Sequence, residues 1–210
     1  MAAVVFDTVK IRATVALVTD RYHHGDLRRA LIDAAVASIA ETGPSALSLR
    51  AVAKLAGVSH AAPAHHFGDK AGLLTAVAAE GYDRFADALD TAWAATGDFV
   101  EVGIAYVRFA IDNKAYFETM FRPELLHEDD PDLARAEARS RAALVRGAGD
   151  AKPGPDGAPP DFNASALGAW SLVHGFAGLL MTGNFPPAVV ADPEGALREI
   201  GRHVRFGPID

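Results

Sequence analysis

Apolar residues recur at three- and four-residue intervals along almost the whole chain, and the breaks between these runs carry capping and stopping residues. No segment has the two-residue alternation of a half-buried strand, so the pattern predicts an all-α fold of about nine helices. Asp26 is placed to cap a first helix whose apolar face runs through Leu27, Leu31, Ala34, Ala35 and Ile39, until Gly43-Pro44 stops it. Ser48 opens a short helix carrying Leu49, Val52, Leu55 and Ala56, ended by Gly57. Ser59 is placed to cap a third helix reaching Phe67. Asp69 caps a long fourth one with Leu74, Val77, Ala78, Gly81, Tyr82, Phe85, Leu89 and Trp93 on its apolar side.

Further on, 98–112 is apolar nearly all round, the mark of a helix at the centre of a bundle. A short helix over 114–121 is closed by Arg122-Pro123. Asp130-Pro131 and Asp192-Pro193 each put a cap before a proline at the first helical position, opening helices to about Gly147 and about Phe206. Between them, 162–181 is a helix apolar on two faces, preceded by a Gly- and Pro-rich stretch at 149–160 that reads as a mobile loop.

Composition narrows the chemistry. Half of the residues are hydrophobic, enough for a sizeable core, and the absence of cysteine removes disulfides, thiol nucleophiles and thiolate metal sites. The opening 1–20 segment is apolar in patches but interrupted by Asp7, Lys10 and Arg12, too short a run to span a membrane, and reads as a flexible arm. A cytoplasmic protein with no membrane partner is expected. The net charge of −7 is unevenly spread: residues 1–70 hold eight Lys or Arg against six Asp or Glu, a balance of +2 that leaves −9 for the remainder. A mildly basic end on an acidic body suits a protein presenting one end to phosphate.

The stretch from Ser48 to Lys70 reads as helix, glycine, apolar residue, capping serine, short helix. Gly57 supplies a left-handed turn and Val58 can fill the angle between the two helices. The second helix has no large apolar residue except Phe67, so His60, Ala61, Ala62 and His65 are free to face a major groove. Arg28 and Arg29 fall near the start of the first helix and Lys70 opens the fourth, where cations oppose the helix dipole. A phosphate beside them would reverse that penalty.

On these residues the chain resembles the tetracycline-repressor (TetR) family of regulators. The likeness is carried by Leu49-Arg50-Ala51-Val52-Ala53, Gly57-Val58-Ser59, His66-Phe67 and 70–74, and Trp170 to Gly175 is similar to the Trp-x-x-x-His-Gly signature of one subgroup. The resemblance implies a DNA-binding head at 21–70 and a helical body at 71–210 that dimerises through its last two long helices and encloses a small-molecule pocket. It places His60, Ala61, Ala62 and His65 near bases, Ser48, Arg50, His66 and Lys70 near phosphates, and Ser59 among the same DNA-contacting set. The pattern departs at Ala64, where the family commonly carries tyrosine, and Pro63 stiffens the entry to the reading helix.

The expected partners are therefore a double-stranded DNA operator, a small-molecule effector and a second copy of the chain. Trp93, Tyr106, Phe109, Phe117, Met120 and Phe121 are core by default but would line a cavity, together with Trp170 and His174. Leu172, Val173, Phe176, Leu179 and Leu180 form a second apolar face that a monomer would expose, and so predict the dimer interface. The histidines lack metal-ligand spacing, His127-Glu128-Asp129-Asp130 reads as a solvated loop, and no catalytic or cofactor motif occurs. The alternative reading is a helical small-molecule-binding or interaction protein whose head no longer reads DNA, motivated by Ala64.

Overall fold

In a computed structural model, residues 24–146 and 163–204 can be described. Among them the chain forms ten α-helices and no strand. They are α1 (His24–Thr42), α2 (Leu49–Leu55), α3 (Ala62–Phe67), α4 (Lys70–Thr96), α5 (Phe99–Asp112), α6 (Lys114–Met120), α7 (Pro131–Val145), α8 (Ala164–Met181), α9 (Pro187–Ala191) and α10 (Pro193–His203). Short 3-10 turns follow α1 at Pro44–Ala46 and α6 at Pro123–Leu125. The arm predicted at 1–20 and the loop predicted at 149–160 lie outside the described residues.

Most of the predicted caps form. Ser48, Asp69, Asp130 and Asp192 each accept a backbone N–H at the start of the following helix, as does the unpredicted cap Asp98. Three starts differ. Helix α1 begins at His24, so Asp26 lies inside its first turn and Arg28 and Arg29 fall in the second, beyond the strongest part of the helix dipole. Helix α3 begins at Ala62 rather than after Ser59, because the Ser59 carbonyl accepts the Ala62 N–H in a separate turn. Helix α8 begins at Ala164, where Asn163 caps it in place of the predicted start at 162. The predicted ends also move: α7 stops at Val145 and α10 at His203. The unpredicted α9 spans only five residues, too few for any periodicity to show.

One apolar cluster runs through the molecule, from Leu31, Ile39 and Val52 at one end, through Leu74, Phe85 and Tyr106, to Phe176 and Leu197 at the other. Helix α4 is the shared wall. Its early turns pack on α1 and α3, and its later ones on α5, α6 and α7. The all-round apolar α5 is enclosed by α4, α6, α8 and α10, as its composition requires. Leu55, by contrast, is 60% exposed, because the two shells of α2 that reach the core are filled by Val52 and Ala53.

Polar pairs fix how α7 lies on α4. Arg135 pairs with Asp83 (2.7 Å), Arg139 with Asp83 and Asp87 (3.5 and 2.5 Å), and Arg146 with Asp90 (2.9 Å). Each pair is partly solvated and contributes modestly, but the row sets the rotation of α7 about its axis.

Gly81 marks the closest approach of α4 to α6. A Cβ there would stand 2.8 Å from Met120 Sδ and 3.2 Å from Tyr116 Cβ, and Met120 is itself buried. Gly81→Ala is therefore expected to destabilise the protein by about 1–3 kcal/mol despite alanine's better helix propensity. Urea unfolding monitored by circular dichroism checks this; an unchanged or raised midpoint would mean the helices part at no cost.

Candidate DNA-reading face and ligand cavity

The 48–70 stretch forms a helix-turn-helix. Gly57 has φ of +69°, a conformation that other residues adopt only under strain, and lets Val58 turn inward onto the core. Pro63 is buried and anchors α3 from its first turn. The turn entering α3 and the opposite side of α3 are left bare: His60 and Ala61 of the turn and Ala64 and His65 of the helix are exposed, while Ala62 and His66 are half-buried. Ser48, Arg50 and Ser59 are exposed beside this ridge. The structure thus gathers most of the predicted DNA-contacting residues on one outward surface, with Ala62 and His66 at its edge. Ala64 stands in its middle and leaves a gap there.

The cations behave differently from the sequence expectation. Arg29 turns back into the protein, donating to Asp33 and, at 2.7 Å, to Glu80, which also accepts from Tyr116 at 2.8 Å. These carboxylates raise the Arg29 guanidinium further above its already high range. Its charge is thereby neutralised internally, so the assignment of Arg29 to a phosphate is corrected. Lys70 Nζ donates to the Ser45 carbonyl at 2.6 Å, holding the α1–α2 turn against α4. Arg28 lies over the Phe67 ring, 5.3 Å from its centroid, with an exposed head.

Seven of the eight predicted ligand-lining side chains lie close together in the body. Trp170 Nε1–H donates to the Tyr106 hydroxyl oxygen at 3.2 Å, and the hydroxyl meets His174 Nδ1 at 2.8 Å. An indole N–H can only donate, which leaves the Tyr106 proton for Nδ1 and makes His174 a neutral acceptor there. Burial lowers the His174 pKa below its ordinary 6.5, in the same direction. Phe117 and Phe121 pack against the His174 ring at 5.5 and 4.7 Å between centroids. Tyr106 and Phe109 are buried behind these rings and bracket Phe85.

Three openings reach the Phe121 ring of this cluster, and a fourth, between α5, α8 and α10, touches it only at Trp170. One, of about 180 Å³, is bounded by Phe85, Phe121, Trp170 and the α7 residues Glu137, Ser140 and Arg141, with Tyr82 at its base. A second, of about 430 Å³ on the other side of Tyr82 and Phe121, adds Met120, Leu133 and Glu128. A third, of about 560 Å³, runs from Phe117 and His174 to the Pro44–Ala46 turn beside the reading helices. Trp93 lines none of them, lying two turns beyond Phe85 on α4. Sequence reasoning missed Tyr82, Phe85 and Glu137, because periodicity marks a core face without telling which part of it borders a void.

Helix α8 shows a bare side, though not quite the predicted one. Val173 and Phe176 are buried in the chain's own core, Phe176 stacked on Phe185 at 4.6 Å, so neither is free for a partner. Leu172 and Leu180 are half-buried, whereas Leu179 is 46% and Leu167 45% exposed. Ser171, Gly175 and Gly178 continue that exposed strip, with open space where a Cβ would stand on either glycine. The second apolar face is therefore centred on Leu167, Ser171, Gly175 and Leu179, roughly a third of a turn from the predicted centre.

Comparison with known proteins agrees with this architecture. Residues 31–77 match the family "Bacterial regulatory proteins, tetR family", and 99–203 match "Tetracyclin repressor-like, C-terminal domain". A solved protein of unknown function from Rhodococcus sp. RHA1 is 32% identical over 84% of this chain and 95% of its own, with a TM-score of 0.63. A TetR family transcription regulator from Marinobacter aquaeolei VT8 is 23% identical over 77% of this chain and 86% of its own, with a TM-score of 0.55. The multidrug binding protein EbrR, solved with imidazole, is 19% identical over 87% and 96%, with a TM-score of 0.58. These last two share the fold. No curated protein matches the sequence. The chain belongs to the tetR family of bacterial regulatory proteins and is a DNA-binding transcriptional regulator.

Proposed function

We propose that the protein is a cytoplasmic repressor that binds its operator as a homodimer and leaves it when a small molecule enters the body. Residues 21–70 form the DNA-binding head and 71–210 the ligand-binding and dimerisation body. The observation that carries the DNA part is the exposed His60 and Ala61 in the turn entering α3 and the exposed His65 on that short helix, which the buried Pro63 pins. Small residues allow close approach to base edges, and imidazoles can donate or accept there. Ser48 and Arg50, together with His66 and Lys70 at the margin, are assigned to phosphates. We assign the chain to the subgroup with the Trp-x-x-x-His-Gly pattern, whose tryptophan and histidine here meet on Tyr106. No catalytic step is assigned to it.

The exposed strip of α8 supports the dimer. This helix has a mean hydropathy of 1.4 and only 28% of it is buried, so a single chain leaves much apolar surface in water. By length and composition it could cross a membrane, but Val173, Phe176 and Ala177 pack it into the globular core. A second copy related by a two-fold axis would cover the same strip on both chains.

Ligand release follows from the contacts between body and head. Arg122, directly after α6, donates to Ser45 Oγ at 3.1 Å, and Glu80 joins Tyr116 of α6 to Arg29 of α1. His127 bonds Asp69 Oδ1 at 3.0 Å, and its backbone N–H donates to Thr75 Oγ1 at 2.9 Å. A ligand displacing Phe117 or Phe121 moves α6 and these links with it. The shift is limited to the ligand's difference in affinity between the two arrangements.

Three expectations follow from this reading. Fluorescence anisotropy with DNA from upstream of the gene is expected to show binding about a thousandfold tighter than to scrambled duplex. His65→Ala should then change the preference between operator variants, while Arg50→Ala weakens binding to all of them. Equal, weak, strongly salt-dependent binding to both duplexes would instead favour a head that no longer reads sequence. For the dimer, the double substitution Leu167→Arg, Leu179→Arg should give a folded monomer by light scattering where the wild type is dimeric; an unchanged mass would place the interface elsewhere.

The third concerns His174. Its folded pKa is lowered, so the unfolded chain binds the proton more readily, and the stability held by neutral His174 is present above about pH 6.5 and lost as pH falls below it. Thermal midpoints of wild type and His174→Gln are expected to converge on acidification below that pH. Parallel curves would show that His174 is not held neutral.

A further inference from the structure

The face that α7 turns to the aromatic cleft carries Leu133, Glu137, Ser140 and Leu144, spaced at three and four residues. The Arg135, Arg139 and Arg146 row on its other side is tied to the α4 aspartates and keeps this face inward. Glu137 lines both lobes of the cleft, as do only Tyr82 and Phe121 among the residues of either. Those two rings stand at 79° with centroids 6.0 Å apart, forming a corner, and Phe121 is 6.4 Å from Trp170. A half-buried carboxylate thus sits at the junction of two chambers walled by aromatic faces.

That combination selects by charge. A carboxylate withdrawn from water among rings costs desolvation free energy, which a neutral or anionic guest would not return. An organic cation returns it twice, through the carboxylate and through the negative faces of the rings. We infer that the cleft takes a bulky organic cation bearing aromatic or alkyl groups, with Glu137 as its counter-ion and Tyr82, Phe121 and Trp170 as its walls. This rests on the reading of the body as the ligand-binding part.

The other charges at the cleft fit this assignment. Glu128 lies at the mouth of the larger lobe and adds negative potential. Arg141 borders only the smaller lobe, one turn along α7, with an exposed side chain. Burial raises the Glu137 carboxyl and outweighs the opposing effect of Arg141, so Arg141 does not fully offset its desolvation. The lobes, about 180 and about 430 Å³, suit a drug-sized guest.

The chain has two tryptophans, so Trp93→Phe leaves Trp170 as the sole reporter in the cleft wall. Titrating this variant with tetraphenylphosphonium and with the nearly isosteric anion tetraphenylborate, while following Trp170 emission, tests the sign directly. The cation is expected to bind about tenfold or more tightly than the anion. Adding Glu137→Gln should remove most of that preference, and Glu137→Asp should retain part of it; this also separates Glu137 from a general attraction of cations to a protein of net charge −7. Equal affinities, or a preference for tetraphenylborate, would overturn the cationic class while leaving the cavity. A preference that survives Glu137→Gln would overturn the role of Glu137. If neither ion perturbs Trp170 while operator binding is intact, the ligand site fails and the DNA-binding reading stands.

Discussion

The buried stripe of α4 is the constraint on which the other elements depend. Leu73, Leu74, Val77 and Ala78 at its start belong to the same apolar cluster as Val52 of the helix-turn-helix. Tyr82 and Phe85, one and two turns later, border the aromatic cleft. About a dozen ångströms of helix therefore separates the residues that seat the reading helices from those that would touch a ligand. Because packed interiors yield by discrete rearrangement rather than smooth compression, a change at Tyr82 or Phe121 cannot be absorbed locally. Gly81 tightens the constraint by bringing α6 onto α4 between the two regions, and Tyr82 adds a hydrogen bond to the Met120 carbonyl at 2.8 Å.

Electrostatics divides the head into two parts. The cations nearest the body are used internally: Arg29 on Asp33 and Glu80, Lys70 on the Ser45 carbonyl, and Arg122 on Ser45 and Glu124. These contacts fix the orientation of the head, with Lys70 also at the margin of the surface proposed to face phosphate. What remains outward is Arg28, Arg50, Lys54 and the imidazoles of His60 and His65, a sparsely charged surface. Such a surface gives a small sequence-independent contribution and leaves more of the binding to base contacts and, in the proposed dimer, to having two heads on one DNA. The acidic body reinforces this by repelling DNA from every other side.

The order of the longer helices and most caps were legible because each depends on a few neighbouring residues, as at Asp130-Pro131 and Asp192-Pro193, whereas the five-residue α9 was not. The starts of α1 and α3 were not, since a capping residue next to a helix can equally sit inside it or in a separate turn, as Asp26 and Ser59 do. Side-chain partners across the chain were the least legible. Nothing local to Arg29 signals Glu80, 51 residues away, and nothing local to Glu137 signals that its face of α7 borders a void. The tally for α8 is similar: its hydropathy announces two apolar faces, but which is covered depends on where Gly103 lets α5 approach, with its would-be Cβ 3.2 Å from Val173.

That division of α8 also limits how a ligand can act. Val173 and His174 are neighbours in sequence, one buried in the core beside α5 and the other in the aromatic cluster, while Gly175 faces the proposed partner. Three successive positions thus lie in the core, in the aromatic cluster and on the proposed dimer face, so α8 cannot rotate to suit one without disturbing the others. The freer response is in α6, whose Phe117 and Phe121 reach the cluster and whose far end meets the head at Arg122. In the proposed dimer, α8 would act as the fixed frame and α6 as the element that moves against it. In such an arrangement a ligand need not weaken either head's fit to its half-site. It is enough to change the distance between the heads, because half-sites on one face of the duplex fix that distance at about one helical turn, ~34 Å.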